Sequence, residues 1–227
     1  MMRFGGRGGW QGALDQARLD RPVFPYQRAF AGLVQSLGTV DSFLSIGVGT
    51  GTALNSVLAS HPNAQLYGVE IDQTVLEVAI RYFHAPDHRR ADYYVGDGFA
   101  FIRADMPNLY DLIFVDAYMR NDIYQPALDP NALDALRQRL RPQGVVAYNI
   151  IGQNLATGAR GTFVRAAKSR FASVLDLPVG VPFSDQNRLV ILTDHRSLLQ
   201  DLCRSLGQAS VLKWHERLLW PQRLRSL

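Results

Sequence analysis

The residues whose types and spacing promise chemistry lie first in Phe43 to Asp72, FLSIGVGTGTALNSVLASHPNAQLYGVEID. Gly47, Gly49 and Gly51 follow one short apolar run, and Glu70 closes a second. Glycines at a strand-to-helix turn relax the backbone and let a ligand approach bare main chain. A carboxylate ending the next strand can accept hydrogen bonds from both hydroxyls of a ribose. The pair predicts a nucleotide-handling βαβ unit. A dinucleotide would call for G-x-G-x-x-G, with a third small residue under the pyrophosphate. Counted from Gly47 that place is Thr52, and counted from Gly49 it is Leu54.

Further polar residues close later apolar runs: Asp97 with Gly98, Asp116, and Asn149. Asp97 can accept from the exocyclic amine of an adenine while Ile71 or Phe99 lies against the ring, and a strand-end Asp can equally cap the next helix. His84 and His88 have metal-like spacing, but Pro86 breaks the helix that would bring them to one face and no thiolate joins them, so no metal site is expected. Neither a G-x-S-x-G nucleophile elbow nor a P-loop lysine occurs.

The elements that must position these residues alternate. A helix is predicted over Tyr26 to Leu37, then the opening βαβ unit, then a helix carrying Val75, Val78, Ala79 and Tyr82. Strands are predicted at Ala91 to Val95 and Asp111 to Val115, with a short helix from Phe99 to Ala104 between them. Leu133, Leu136 and Leu140 mark a helix with Pro130 in its first turn and Gly144 past its end. A strand over Val145 to Ile150 and a helix over Thr162 to Phe171 precede strands at Ser173 to Leu177 and Arg188 to Thr193, which form a hairpin at the sheet edge. The pattern predicts an α/β fold, a Rossmann-like, doubly wound, mostly parallel sheet with a C-terminal antiparallel hairpin. Residues 1–25 read as a short extension, 26–195 as the ligand-binding domain and 196–227 as a helical tail. In that tail Leu212, Leu218, Leu219 and Trp220 cover the chain's own sheet by default, or a second subunit in the sharper, homodimeric reading.

With 227 residues, 47% hydrophobic and 19% charged, the chain suits one well-buried globular domain. No apolar run approaches a bilayer span and residues 1–10 lack the apolar core of a signal peptide, so a cytoplasmic location without membrane contact is expected. The single Cys203 fits a reducing compartment. A net charge of +4 is spread along the chain with no aromatic–basic interleaving, so nucleic acid is not an expected partner.

The G-x-G-x-G form resembles the glycine loop of class I S-adenosylmethionine (SAM) binding domains. The order of motifs narrows this: GGWQ ending at Gln11, PYQR containing Tyr26, the glycine loop, VEID at Val69 to Asp72, GDGFAF at Gly96 to Phe101 and YDLIFVDA at Tyr110 to Ala117. Over about Gln11 to Ile151 the chain resembles the spermidine synthase-like proteins. That resemblance implies a class I SAM-binding fold preceded by a small β domain, here reduced to a remnant. It implies that Glu70 binds ribose, Asp97 and Gly98 bind adenine with Ile71 nearby, Gln11 lies near the donor's tail, and Asp116 borders the acceptor pocket. The donor it implies is SAM or decarboxylated SAM, and the acceptor a small molecule such as an amine.

Three departures bear on the reaction. The family loop G-G-G-D-G carries an acid for the cationic aminopropyl tail where this chain has Thr50; the family motif D-S-S-D ends in an acid where this chain has Met119; and Gln27 replaces the histidine after the tyrosine. A buried cation without its partner is costly. Intact SAM adds a carboxylate to that tail, for which main-chain N–H groups around Thr50 and the Thr52 hydroxyl are candidate donors. On this ground methyl transfer is favoured over aminopropyl transfer. The alternative is an aminopropyltransferase in which Asp122 or Asp116 serves as base with Tyr118 or Tyr124 lining the acceptor site. A SAM-binding protein without catalysis is a third reading.

Overall fold

In the computed structural model, residues 1–3, 10–18, 21–104, 107–119, 122–180 and 186–227 are described, with side chains for all of these but 3, 10, 11, 119, 122 and 123. Two short strands, β1 (Met2–Arg3) and β2 (Trp10–Gly12), are followed by α1 (Pro25–Ser36), β3 (Ser42–Ile46), α2 (Thr52–Ser60), β4 (Gln65–Glu70), α3 (Gln73–Tyr82), β5 (Ala91–Val95), α4 (Gly98–Arg103) and β6 (Tyr110–Val115). A small hairpin of β7 (Tyr118–Met119) and β8 (Asp122–Ile123) and a 3-10 turn (Gln125–Leu128) lead into α5 (Pro130–Gln138), β9 (Leu140–Ile151), α6 (Gly158–Lys168), β10 (Ser173–Pro178) and β11 (Asn187–Thr193). Then come α7 (Leu198–Gln208), α8 (Trp214–Arg223) and β12 (Arg225–Ser226).

Strands that are apolar along their whole length are those with both faces covered. Successive residues point to opposite faces, so Phe43, Leu112 and Phe114 pack under α1, α2, α7 and α8, while Leu44, Ile113 and Val115 pack under α4, α5 and α6. The eight-stranded sheet has the order β12-β10-β11-β9-β6-β3-β4-β5. Strands β9, β6, β3, β4 and β5 are parallel, and β11 runs antiparallel between β9 and β10. The fold is thus the mostly parallel, doubly wound sheet with antiparallel C-terminal strands that the sequence predicts. The chain builds outward from β3 through β4 to β5, then returns to lay β6 on the other side of β3. At that reversal a crevice opens beyond the strand ends.

Several elements depart from their predicted bounds. Leu140 does not extend α5 but starts β9, because the Tyr110 N–H takes the Arg139 carbonyl at 2.8 Å and Tyr110 then pairs with Leu140. Gly144 therefore lies within β9, where Gln143 adopts a left-handed φ of 62°, and does not end a helix. The hairpin is not the sheet's outer edge: β11 is internal, and β12 lies outside β10. In the tail, Leu212 and Trp220 are buried against the chain's own sheet, whereas Leu218 and Leu219 stay exposed. No described helix is long and apolar enough to cross a membrane.

The N-terminal segment and the tail are tied together under α1. Arg28 donates from Nε to Glu216 Oε2 at 2.9 Å and from Nη1 to the carbonyls of Pro22 and Val23, and Glu216 also accepts from the Lys213 N–H. This buried pair fixes the approach to Phe24, Pro25 and Tyr26, which wall the crevice.

Candidate active site

The turn from β3 into α2 needs its glycines for different reasons. Gly47 has φ 86°, and a Cβ there would sit 2.4 Å from the Asp116 carbonyl. Gly51 has φ 74° as the N-cap of α2, and its Cβ would sit 2.3 Å from that of Ala85. Glu70, at the end of β4, binds this loop directly. Its Oε2 accepts from the N–H groups of Val48 and Gly49 at 3.0 and 3.1 Å, and its Oε1 from Asp72 at 3.3 Å. A carboxylate has about four acceptor positions, so Glu70 can brace the loop and still receive ribose hydroxyls.

Asp97 caps α4, its Oδ1 accepting from the Ala100 N–H at 2.6 Å, while its Oδ2 accepts from the Tyr124 hydroxyl. Burial alone would raise this carboxyl, but the hydrogen bonds from Tyr124, Ala100 and Phe99 outweigh it and hold it below the ordinary range. The capping reading of Asp97 holds, and the same residue lines the crevice. Gly98 allows α4 to approach β3: a Cβ there would meet Ile46 Cγ2 at 2.3 Å.

Asp116, beyond β6, is the centre of a relay. Asn187 donates to Asn149 Oδ1 at 2.9 Å, Asn149 donates to Asp116 Oδ1 at 2.7 Å, and Tyr26 hydrogen-bonds the same carboxylate. Burial pushes Asp116 up to about 6; the hydrogen bonds from Asn149 and Tyr26 pull it back, and the Glu70 charge adds to the rise. The Tyr118 hydroxyl donates to the Asn149 carbonyl at 2.9 Å and accepts from the Ile151 N–H at 2.8 Å. Tyr118 thereby pins the hairpin loop to β9 and holds the backbone behind Asn149.

These groups surround one crevice of about 660 Å³. Of the sequence-predicted residues, Gly47, Gly49, Glu70, Ile71, Asp97, Gly98, Asp116 and Tyr118 line it together. Gly51 stands behind it at the start of α2. The side chains of Gln11 and Asp122 lie outside the described residues. Tyr124 also lines the crevice, its hydroxyl bound to Asp97. Thr50 is buried, its hydroxyl is 3.0 Å from that of Thr52, and it is tight against Gly12, where a Cβ would fall 2.0 Å from Thr50 Cγ2. The main-chain donors of Val48, Gly49 and Gly51 are taken by Glu70 and by the Val48 carbonyl. Of the donors anticipated here for a ligand carboxylate, these three main-chain groups are engaged within the protein, and the Thr50 and Thr52 hydroxyls share one hydrogen bond. Among its described lining, the crevice has three carboxylates, Glu70, Asp97 and Asp116, and neither Lys nor Arg.

Sequence reasoning missed Asn187, and it gave Tyr26 and Asn149 no partner. Tyr26 stood in a quoted motif and Asn149 at a strand end. Asn187 carried no local signal, because the pairing of β11 with β9 brings it in.

The doubly wound sheet, the glycine loop and the acid closing β4 place the protein in the Rossmann-like class, with the class I SAM-binding arrangement. Residues 23–174 match the family described as spermine/spermidine synthase domain, and the chain belongs to that family. It is 32% identical over 134 residues to a probable polyamine aminopropyl transferase of Bifidobacterium longum, covering 59% of this chain and 29% of that one. It is 30% identical over 175 residues to putrescine N-methyltransferase 2 of Nicotiana tabacum, covering 70% of this chain and 48% of that one. The chain thus spans less than half the length of either relative. A crystal structure of a probable spermidine synthase from Corynebacterium glutamicum shares the fold, with a TM-score of 0.72 at 17% identity, over 87% of this chain and 75% of that chain.

Proposed function

We propose that this chain is an aminopropyltransferase of the spermidine synthase type, moving the aminopropyl group of decarboxylated SAM onto a small amine. The observation that carries the reading is the crevice lining: three carboxylates and no Lys or Arg. Such a lining favours a ligand bearing a sulfonium and an ammonium, and gives a ligand carboxylate no counter-charge. This reverses the preference for methyl transfer drawn from the acids missing at Thr50 and Met119, since the lining still offers three carboxylates and the main-chain donors of Val48, Gly49 and Gly51 are occupied.

In this reaction the amine lone pair attacks the aminopropyl carbon bound to the sulfonium. The carbon–sulfur bond breaks, its electron pair neutralises sulfur as methylthioadenosine, and the attacking nitrogen loses a proton. Asp116, ionised above about pH 6, is the group placed to hold the amine and receive that proton. Asn149 and Tyr26 orient its carboxylate, Glu70 holds the ribose, and Asp97 receives the adenine amine. The remainder of the catalysis is alignment and exclusion of water.

A second reading, methyl transfer from SAM to the same class of acceptor, is supported by the likeness to a protein named putrescine N-methyltransferase. The two readings differ in product. Incubation with decarboxylated SAM and a panel of diamines should release methylthioadenosine, detected by mass spectrometry. Release of S-adenosylhomocysteine from SAM instead would establish the second reading. Calorimetric binding with neither product would leave a non-catalytic adenosyl-binding protein.

A further inference from the structure

A side-chain amide can present either its nitrogen or its oxygen to a carboxyl group, and the choice decides which protonation state of that group is favoured. Asn149 is 3% exposed, so little of its amide is open to solvent. Its Nδ2 donates to Asp116 Oδ1 at 2.7 Å, and its Oδ1 accepts from Asn187 Nδ2 at 2.9 Å. Turned over, the same amide would set its oxygen against Asp116, a contact that is favourable only when the carboxyl carries a proton. The orientation present therefore suits an ionised Asp116, and Asn187 is the donor that satisfies the oxygen left on the far side.

Asn187 is held by main chain on both sides. It opens β11, pairs there with Ile151 of β9, and its carbonyl accepts from the Val179 N–H at 3.0 Å. Its side chain lines the crevice and bonds Asn149, one step removed from the carboxylate. Asn149 is fixed in turn, because its own carbonyl accepts from the Tyr118 hydroxyl. With both backbones anchored, the order of the two amides is what remains adjustable.

We propose that Asn187 is a positioning residue: by donating to the Asn149 side-chain carbonyl it keeps the Asn149 nitrogen on Asp116, and so keeps that carboxylate ready to accept a proton. The inference rests on the aminopropyl reading, in which Asp116 takes the proton of the attacking amine, and adds the residue that governs the pH at which it can. Burial raises the Asp116 carboxyl, the hydrogen bonds from Asn149 and Tyr26 lower it, and the outcome of about 6 lies close enough to neutrality for one amide to matter. Among the described residues, the other groups that bear on this acid leave that role to the amides. Tyr26 of α1 and Tyr118 of β7 are both raised by burial and stay neutral across the working range. Glu70 of β4 adds a like charge that favours protonation, and the Arg160 charge from α6 acts on Tyr118.

The test is the pH dependence of methylthioadenosine release, followed as kcat/KM from pH 5 to pH 9. The substrates are decarboxylated SAM and 1,4-diaminobutane, or whichever of the diamine panel turns over fastest. Asn187→Leu, close in size and without a donor, should move the acid limb up by about one pH unit, the loss of one oriented hydrogen bond to a carboxylate. Turnover then falls about tenfold at pH 5 and less than about twofold at pH 9. Asn187→Asp can only accept, so it draws the Asn149 nitrogen away from Asp116, and its limb should move further still. Methylthioadenosine affinity in calorimetry should stay within about twofold for both variants, because its contacts lie elsewhere. Urea denaturation over the same range reads the same ionisation without turnover. The folded carboxyl lies above its ordinary 3.8, so stability is lost as pH rises through the folded value, and in Asn187→Leu that loss should finish about one pH unit higher. Turnover lowered equally at every pH, or a tenfold loss of methylthioadenosine affinity, would make Asn187 a structural residue and overturn the proposal. An acid limb and a stability curve that both variants leave in place would overturn it as well. Absence of methylthioadenosine release from the unaltered chain would instead sink the aminopropyl reading, while the stability curves still decide whether Asn187 governs Asp116.

Discussion

Replacing Asp116 with Asn should make the protein more stable and far less active at alkaline pH. Burial beside Tyr26, Asn149 and Glu70 raises the carboxyl from 3.8 to about 6. The folded state then holds this proton more tightly than the unfolded chain, so the associated stability is complete below pH 3.8 and is lost as pH rises through about 6. The shift corresponds to roughly 2–3 kcal/mol against folding once the group is ionised, the lower figure allowing for solvent in the crevice. Asn keeps an acceptor for Asn149 and cannot ionise. Its amide nitrogen must face the Tyr26 hydroxyl, which loses its acceptor, at a cost of about 1 kcal/mol. The net expectation is a gain of about 1–2 kcal/mol at pH 8 that gives way to a loss of about 1 kcal/mol below pH 4, where only the lost Tyr26 hydrogen bond remains. Formation of methylthioadenosine should fall at least about a hundredfold, the ordinary contribution of a positioned base. Urea denaturation of both proteins from pH 4 to pH 8, with turnover measured at pH 8, reads all of this. Parallel stability curves for the two proteins would refute the claim that Asp116 titrates abnormally, and full activity in the variant would remove it from the chemistry.

Other outcomes follow from local contacts. Gly12→Ala should destabilise by about 1–3 kcal/mol through overpacking, since its Cβ would fall 2.0 Å from Thr50 Cγ2; adding Thr50→Ser, which removes that methyl, should recover most of the loss in urea denaturation. Glu216→Ala should cost about 3–5 kcal/mol by leaving the buried Arg28 guanidinium without its carboxylate, seen as a large fall in melting temperature; a small change would mean that solvent reaches the site. Glu70→Ala should weaken methylthioadenosine at least tenfold in calorimetry, about 1.4 kcal/mol, through loss of ribose hydrogen bonds and of the loop's brace. Unchanged affinity would place the ribose elsewhere.

Local steric demands made the ligand-facing half of the site readable from the chain. Gly47 and Gly51 are required by backbone conformation and close approach, and Glu70 follows at the end of the next strand, so their pattern survives in one dimension. The relay around Asp116 is assembled from four distant segments, and only the pairing of Asn187 with Ile151 across β11 and β9 brings its far end into place. The spacing of Leu133, Leu136 and Leu140 is genuinely helical. Pairing with Tyr110 overrode the last of these. Thr50 misled for a related reason. The acid missing at its place in the loop suggested a site without a partner for a cation, whereas Glu70, Asp97 and Asp116, from three separate strand ends, line the crevice with carboxylates. The leaning toward methyl transfer rested on the two missing acids, at Thr50 and Met119.

The strand at the outer rim of the sheet has a consequence for solubility. Strand β10 is buried along nearly its whole length, and beyond it β12 pairs Arg225 with Asp176 and Ser226 with Leu175, while the Leu227 N–H reaches the Val174 carbonyl at 2.9 Å. Arg225 Nη2 folds back onto the fully buried Asp176 at 2.9 Å. Two residues and one ionic latch thus act as a stopper on an apolar ribbon whose open hydrogen-bonding groups would otherwise template the stacking of one copy onto the next. Losing so small a piece would therefore show first as precipitation at high concentration, before any change at the distant crevice.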